Sequence, residues 1–248
     1  MKRIIVKNVS KKFNIGFKKR QSVLQRSATF FSGKEPKKII DAIKDVSLDI
    51  ESGEMLGVIG PNGSGKSTLL RIISGIYNSD SGIIKTNGNV ISLISLGVGL
   101  KERLTMKQNI FLVGSLFGLS NTEIKRIFNK IISFSGLQNF VNTKIYQFSS
   151  GMVQRLVFSI AVYAQPDILL LDEVFEVGDE DFKEKSVYKI KEIVERGGCV
   201  MLVSHDMELV NNFCGRVILM DRGQLIKSGR PAETIKKYLS SQQPNEII

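Results

Sequence analysis

The sequence has few of the residues that mark secreted or metal-binding chains. Its 248 residues include two cysteines, one histidine, five prolines and no tryptophan. Because Cys199 and Cys214 lack the spacing of metal ligands, we expect them to be reduced, partly buried thiols of a cytosolic protein. With 42% hydrophobic and 24% charged residues, the composition predicts an ordered, soluble chain of one large α/β domain or two small ones.

Long apolar segments are also missing. The uncharged stretch of residues 110–121, for example, contains glycine and serine and is shorter than the roughly 20 apolar residues that span a bilayer. The N-terminal sequence MKRIIVKNVSKK places charges where a signal peptide needs an apolar core. We therefore expect neither a membrane-spanning helix nor a secretion signal.

Positive charge is concentrated in one segment. The formal net charge is +11, and residues 11–38 contribute +8 of it through nine Lys or Arg and one acid, Glu35. The rest of the chain is nearly neutral, with a net charge of +3. This distribution argues against a broad nucleic-acid-binding face and predicts a domain that carries a single basic segment.

Apolar periodicity predicts strands at both ends of the chain and helices in the middle. The expected strands lie at residues 4–9, 42–50, 55–59, 168–171, 199–204, 217–220 and 224–226. One expected helix runs from Lys66 to Ser74, and a last one runs from Pro231 to Leu239. From about residue 105 to residue 162 the spacing is mostly helical. There, Ser120 and Glu123 have the spacing of a capping box. Behind them lies one apolar helix face, which we interpret as a packing surface: Ile124, Ile127, Phe128, Ile131 and Ile132.

A phosphate-binding loop follows the strand at residues 55–59. Residues 60–67, GPNGSGKS, match the pattern G-x-x-x-x-G-K-[ST] in full, between a strand and a helix. Glycines let backbone N–H groups approach phosphate oxygens, and the helix N-terminus adds favourable partial charge. Lys66 is expected to reach the β- and γ-phosphates, and the Ser67 hydroxyl to bind Mg²⁺. The predicted ATP-binding residues are Gly60, Pro61, Asn62, Gly63, Ser64, Gly65, Lys66, Ser67 and Thr68.

Two acids end the apolar strand at residues 168–171. If this strand lies beside the phosphate-binding loop, Asp172 can hold Mg²⁺ and Glu173 can orient or deprotonate the attacking water. A run of this kind, taken alone, is common as a strand followed by a turn. Together with the loop, it predicts hydrolysis of a nucleoside triphosphate.

The single histidine, His205, follows another apolar strand. A lone histidine is usually structural, but we expect its strand to be a parallel neighbour of the strand that ends at Asp172. His205 would then lie at the edge where the phosphates bind, in a position to sense or polarise the γ-phosphate. A serine-glycine turn, residues 148–152 (FSSGM), opens a helix and can bind an anion or serve as an ordinary helix cap.

With these four segments in place, the chain resembles the ATP-binding subunits of ABC transporters over nearly its whole length. The segments occur in that family's order, with Ser149 23 residues before Asp172 and His205 33 residues after it. The resemblance implies an α/β fold with a P-loop NTPase core (a RecA-like mixed sheet), an antiparallel β subdomain and an α-helical subdomain. The implied boundaries are about residues 1–93 and 160–248 for the core, 100–159 for the helical subdomain and 14–38 for a basic insertion.

The resemblance also implies roles for individual residues, with ATP and Mg²⁺ as ligands. Phe13 matches an aromatic residue that stacks on adenine, and Asp179 matches the aspartate of the D-loop. The segment FSSGM stands where the family has its signature, so Ser149, Ser150 and Gly151 would contact ATP bound to a second copy of the chain. The chain departs from the family pattern at Ser95, where many members have glutamine, and at Glu176, where the D-loop usually has a small residue.

Some details are similar to exporters of polysaccharides, O-antigens or teichoic acids. They are the SSGM and VSHDM segments, a run with Val177, Gly178, Asp179, Phe182 and Lys183, and the basic insertion. This branch implies integral membrane permease partners, a position on the cytoplasmic face of the plasma membrane, and an insertion near that membrane that could contact anionic lipid or lipid-linked glycan.

Three alternatives stay open at the level of sequence. The same ATPase could serve an exporter of a drug, a lipid or another small molecule. A soluble ABC ATPase that acts on nucleic acid is disfavoured, because only 83 residues separate Lys66 from Ser149, too few for the long coiled coil of repair-type relatives. A non-catalytic ATP-binding switch is left a small opening by Ser95 but is disfavoured by four residues that fit a catalytic site: Lys66, Asp172, Glu173 and His205.

Overall fold

The computed structural model of the chain describes residues 1–15, 38–94, 99–173 and 180–242. The strands in these ranges are β1 (Lys2–Ile15), β2 (Lys38–Glu51), β3 (Met55–Ile59), β4 (Ser81–Thr86), β5 (Val90–Leu93), β6 (Ile168–Asp172), β7 (Cys199–Val203), β8 (Arg216–Asp221) and β9 (Gln224–Gly229). The helices are α1 (Lys66–Ile73), α2 (Met106–Leu116), α3 (Asn121–Ser135), α4 (Ser150–Tyr163), α5 (Glu180–Glu195), α6 (Met207–Phe213) and α7 (Pro231–Gln242), with short 3₁₀ turns at Gln138–Phe140 and Ile145–Gln147.

A mixed sheet of the described strands lies at the centre, in the order β5-β6-β7-β3-β8-β9. All neighbouring pairs are parallel except β8 and β9, which form an antiparallel hairpin. The central strands β3 and β7 are buried along their whole length, which explains their continuous apolar sequences. Because β6 and β7 are parallel neighbours, the expected adjacency of the Asp172 and His205 strands is confirmed.

A second sheet pairs β1 with β2 and with β4, in each case antiparallel. It packs on one face of the central sheet through an apolar cluster that includes Ile4, Val46, Leu56 and Leu69. The mixed and antiparallel sheets together with the helices confirm the predicted α/β fold.

The hairpin of β1 and β2 is longer than its sequence pattern predicts. Register shifts interrupt the alternation after Val6, yet pairing continues so that Phe13 lies opposite Ile40. Two short strands, β4 and β5, are absent from the sequence-based expectations. β4 is mostly exposed and β5 is buried only at alternate positions, so neither has the continuous buried apolar run that predicts β3, β6 and β7.

The helices α2, α3 and α4 share an apolar core of their own. The predicted stripe on α3 forms part of it, with Ile124 and Ile131 fully buried and Phe128 packed at its border. The predicted capping box is present: the Ser120 hydroxyl accepts a hydrogen bond from the Glu123 N–H, and the Glu123 carboxylate accepts one from the Ser120 N–H. The stripe is therefore a packing surface, as expected.

Both cysteines are free thiols and are more deeply buried than predicted. Burial raises the pKa of each thiol to about 12, so both are protonated at neutral pH. Within the described ranges, no helix has the combination of length and hydropathy that crossing a bilayer requires.

Candidate functional site

The carboxyl ends of three neighbouring strands bring the candidate residues together. The phosphate-binding loop follows β3, Asp172 is the last residue of β6, and His205 comes two residues after β7, which lies between the other two strands. Crevices at the carboxyl ends of parallel strands are the usual ligand sites of α/β sheets. The sheet order therefore assembles three of the four predicted segments at one edge.

Backbone shape explains two of the loop glycines. Gly60 and Gly65 have positive φ angles of 146° and 104°, and a Cβ atom would lie 2.1 Å from the Met220 carbonyl oxygen at the first and 2.6 Å from the Ala42 carbonyl oxygen at the second. Gly65 also precedes α1 without any side-chain cap. The N–H groups of the first turn are therefore free of a capping side chain and can bind phosphate oxygens.

Lys66 is a buried cation with neutral partners. Its side chain is only slightly exposed, and its Nζ donates to the carbonyl oxygens of Gly60 at 2.7 Å and Pro61 at 3.0 Å. Desolvation lowers the pKa of Lys66, while the charges of Glu173 and Asp172 oppose this shift. An anion in the loop would compensate this charge better than two carbonyl dipoles do.

Ser67 and Asp172 form a pair of oxygen donors beside the loop. The Ser67 side chain lies close enough to the Asp172 carboxyl group to favour its charged form, and the Asp172 Oδ1 is buried without a hydrogen-bond partner. Burial is the main cause that raises the pKa of Asp172, and the nearby Glu173 charge adds to it. A buried carboxylate oxygen without a donor fits a hard cation such as Mg²⁺, which prefers oxygen ligands.

Glu173 and His205 are in direct contact. The His205 Nε2 lies 3.0 Å from the Glu173 Oε1, and both side chains are partly open to solvent. Because an ionised carboxylate only accepts hydrogen bonds, Nε2 carries the proton of this contact. Glu173 has a left-handed backbone, with φ of 56°, and its N–H donates to the Val203 carbonyl oxygen at 3.0 Å. The end of β7 thus fixes the Glu173 backbone in a conformation that costs energy for a residue with a side chain.

Asp206 fixes the chain that follows His205. Its Oδ1 accepts the N–H of Leu209 at 2.9 Å as the N-cap of α6, and its Oδ2 lies 3.1 Å from the Lys183 Nζ on α5. The hydrogen bond from the Leu209 N–H is the main cause that lowers the pKa of Asp206, and Lys183 adds to it. The position of His205 is therefore tied to both α5 and α6.

We predict a pH-dependent loss of stability in Asp206→Asn. Asparagine keeps the cap but loses the charge. Since folding lowers the pKa of Asp206, its carboxylate stabilises the fold above about pH 3.9 and ceases to do so as the pH falls through the folded value. We expect a free energy of unfolding lower by a few tenths of a kcal/mol at neutral pH, because the pair is partly exposed. Urea unfolding at several pH values would show this difference shrinking in acid; a constant difference would contradict it.

An open cleft of about 500 Å³ lies over the phosphate-binding loop. Phe13 lines it and packs edge-on against Tyr77, with ring centroids 5.4 Å apart. Phe13, the phosphate-binding loop and Glu173 are residues that the sequence predicts for this site, whereas the contributions of β2 and of the β8–β9 turn are not predicted. The lining residues are Phe13, Ile40, Asp41, Ala42, Lys44, Asn62, Gly63, Ser64, Gly65, Lys66, Ser67, Thr68, Glu173 and Arg222.

The fourth predicted segment lies apart from this cleft. Ser149 is the N-cap of α4, where its Oγ accepts the N–H of Met152 at 3.2 Å. Ser149 and Ser150 are exposed, and neither they nor Gly151 lines the cleft. Three expectations concern residues outside the described ranges. They are the departure at Ser95, the D-loop residues Glu176 and Asp179, and the basic insertion at about residues 14–38, of which residues 16–37 are not described.

Comparison with known proteins gives a consistent set of matches. The family model described as ABC transporter matches residues 43–176. The O-antigen export system ATP-binding protein RfbB of Myxococcus xanthus is 37% identical over 200 residues, which cover 81% of this chain and 46% of that protein. The teichoic acids export ATP-binding protein TagH of Listeria innocua is 38% identical over 249 residues, which cover 98% of this chain and 73% of that protein. The chain thus spans about half the length of the first relative and under three quarters of the second.

A solved structure shares the fold. The dimeric structure of the ATP-binding cassette MJ0796 bound to ADP and Pi superposes with a TM-score of 0.75 at 24% identity, covering 92% of this chain and 98% of that one.

Proposed function

Because the chain belongs to the ABC transporter family, we propose that it is the ATP-hydrolysing subunit of a complex that exports a lipid-linked polysaccharide, O-antigen or teichoic acid across the cytoplasmic membrane. The observation that carries the proposal is the convergence of Lys66, Asp172, Glu173 and His205 at one sheet edge. The names of the relatives RfbB and TagH support the class of substrate.

Binding of ATP would rest on the phosphate-binding loop. The N–H groups at the start of α1 and the Lys66 ammonium would hold the phosphates, and Phe13, which also lines the cleft, would stack on adenine. When bound, Mg²⁺ held by Ser67 and Asp172 would neutralise phosphate charge. The buried, unpartnered Oδ1 of Asp172 supports this assignment.

Hydrolysis would depend on Glu173. Its carboxylate would orient the attacking water and accept its proton, and His205 would hold the carboxylate through the 3.0 Å contact between Nε2 and Oε1. The left-handed backbone of Glu173 and its hydrogen bond to Val203 hold the backbone that carries this carboxylate beside the end of β7. Such rigid placement favours a water held in line with the γ-phosphate.

The site would be completed by a second copy of the chain. Ser149 and Ser150 are exposed at the start of α4, Gly151 is half-buried beside them, and none of the three lines the chain's own cleft, so this segment is available to ATP bound by a partner. The dimeric cassette with the same fold supports this arrangement. Asp179 would lie at the seam between the two copies. Closure on ATP would then shift the pair toward one conformation and transmit that change to membrane permease subunits.

The basic insertion would place the complex at the cytoplasmic face of the membrane. Residues 11–38 carry a net charge of +8, and Phe17, Leu24, Phe30 and Phe31 are interleaved with the charges. Basic charge with apolar side chains is suited to an anionic lipid surface or a phosphate-bearing lipid carrier.

We predict that His205→Ala lowers kcat far more than it changes the KM for ATP. The substitution removes the hydrogen bond to Glu173, so the base is left without its orienting partner. General-base catalysis contributes roughly 10²–10⁴-fold, and loss of orientation should remove about 10-fold to 100-fold of it. Steady-state phosphate release would measure both constants. An increase in KM with an unchanged kcat would assign His205 to binding and contradict the proposed role.

Isolation from native membranes tests the transport assignment. We expect the chain to co-purify with an integral membrane permease and a lipid-linked glycan, both identifiable by mass spectrometry. A permease with a small-molecule ligand would favour the alternative exporter. Recovery without membrane protein, together with salt-sensitive binding to DNA or RNA, would replace the proposal with a nucleic-acid ATPase.

A further inference from the structure

The turn between β8 and β9 has an arginine at a position whose backbone conformation favours a shorter side chain. The turn consists of Arg222 and Gly223, between Asp221 at the end of β8 and Gln224 at the start of β9. Both have positive φ angles, 44° and 82°, as in a type I′ hairpin turn. Asparagine followed by glycine is preferred in such turns, because short polar side chains tolerate the left-handed backbone. Turn geometry alone therefore does not account for a long cationic side chain at position 222.

Hydrogen bonds fix this turn to the phosphate-binding loop. The Gly223 N–H donates to the Ser64 carbonyl oxygen at 2.9 Å, and the Gly223 carbonyl oxygen accepts the Lys44 N–H at 2.8 Å. A Cβ atom at Gly223 would lie 2.8 Å from the Ala42 carbonyl oxygen, so the turn is also in close contact with β2. The backbone of Arg222 consequently has a defined position relative to the loop.

Arg222 and Lys44 both line the 500 Å³ cleft, and both are exposed. The carboxylates of the cleft are already engaged, since Asp41 Oδ1 lies 3.4 Å from the Lys12 Nζ and Glu173 contacts His205. Among the described residues, neither Arg222 nor Lys44 forms a salt bridge. Within the ranges that the structure describes, the cleft thus has two cations, in addition to Lys66, without an acidic partner.

We propose that Arg222, supported by Lys44, binds the phosphate chain of the nucleotide from the side of the cleft formed by the β8–β9 turn. This inference rests on the proposed function, because it requires that ATP occupy the cleft. A guanidinium presents five N–H donors and remains charged, and phosphate oxygens are its preferred acceptors. The contact strengthens the binding of ATP and ADP beyond what the phosphate-binding loop supplies, and salt weakens it because both side chains are exposed.

The decisive variant is Arg222→Asn, which creates the preferred asparagine-glycine turn and should fold at least as well as the wild type. We expect the Kd for ATP and for ADP, measured by isothermal titration calorimetry, to rise about five-fold at low salt. The increase should become smaller as salt is added, and KM should rise by a larger factor than kcat falls. Arg222→Lys should recover part of the affinity. Lys44→Gln, whose backbone contacts are kept, should show a smaller effect in the same direction.

Arg230→Asn is the matched control, because it removes the same charge from an exposed position outside the cleft. Equal affinities of Arg222→Asn and Arg230→Asn for ATP would overturn the inference. A loss of affinity that salt does not change would also overturn it, since the contact would then be to the base or sugar. If the wild-type chain binds no ATP, both the proposed function and the Arg222 contact with phosphate are wrong. That result differs from equal affinities of the two variants and from a salt-independent loss of affinity, which would each overturn the Arg222 contact alone.

Discussion

Glu173→Gln is expected to bind ATP and to hydrolyse it at about 10²–10⁴-fold lower rate than the wild type. Glutamine has nearly the same shape as glutamate and can still contact His205, but it cannot accept the proton of the attacking water. The Glu173 carboxylate does not hold Lys66 directly, since the Nζ of that residue donates to two backbone carbonyls. Affinity for ATP should therefore change little, and single-turnover phosphate release would measure the loss in the chemical step.

Glu195→Gln provides the matched control for that experiment. Glu195 is an exposed residue at the end of α5, far from the strand ends that carry the site. The Glu195→Gln variant carries the same chemical change as Glu173→Gln and should hydrolyse ATP at the wild-type rate. Equal rates of hydrolysis by Glu173→Gln and the wild type would contradict the assignment of Glu173 as the general base.

Lys66→Met is expected to weaken ATP binding by about 100-fold, because a charged hydrogen-bond donor to phosphate contributes roughly 1.5–3 kcal/mol. Methionine fills a similar volume without charge. The folded chain should tolerate it, since the buried ammonium is desolvated and has only neutral partners in the loop. Thermal unfolding would measure both effects: a melting temperature close to that of the wild type without nucleotide, and a much smaller rise on adding ATP.

Lys236→Met serves as the control for this substitution. Lys236 is exposed on α7, so removal of its charge should leave the ATP-dependent rise in melting temperature intact. A wild-type rise in Lys66→Met would contradict the assignment of Lys66 to the phosphates. A large drop in its melting temperature without nucleotide would instead show that Lys66 stabilises the fold.

The parts of the site that depend on local sequence were predictable. The phosphate-binding loop has a fixed spacing, and the apolar runs of β6 and β7 end at Asp172 and just before His205, so a parallel sheet was enough to predict their proximity. The capping box at Ser120 and Glu123 was predictable for the same reason, because it needs only residues three apart.

The parts that depend on distant pairing were not predictable. Lys44 and Arg222 line the same cleft because the Lys44 N–H donates to the Gly223 carbonyl oxygen. Lys44 and Gly223 are 179 positions apart in the sequence, and apolar periodicity does not predict such a distant contact. The continuation of β1 to Phe13 likewise depends on its register with Ile40, since strand pairing overrides the weak local pattern. The separation of Ser149 from the cleft required the packing of α4 to be known.

The most direct test of the two-copy site is the association state of Glu173→Gln with ATP, because a completed site requires both the phosphate-binding loop of one copy and Ser149 of another. Sedimentation velocity should show a 27.6 kDa monomer without nucleotide and a dimer of twice that mass with ATP and Mg²⁺. Addition of Ser149→Arg to the same protein should abolish the dimer while leaving each monomer able to bind ATP. A Glu173→Gln chain that binds ATP and remains monomeric at every concentration would contradict the proposed two-copy site.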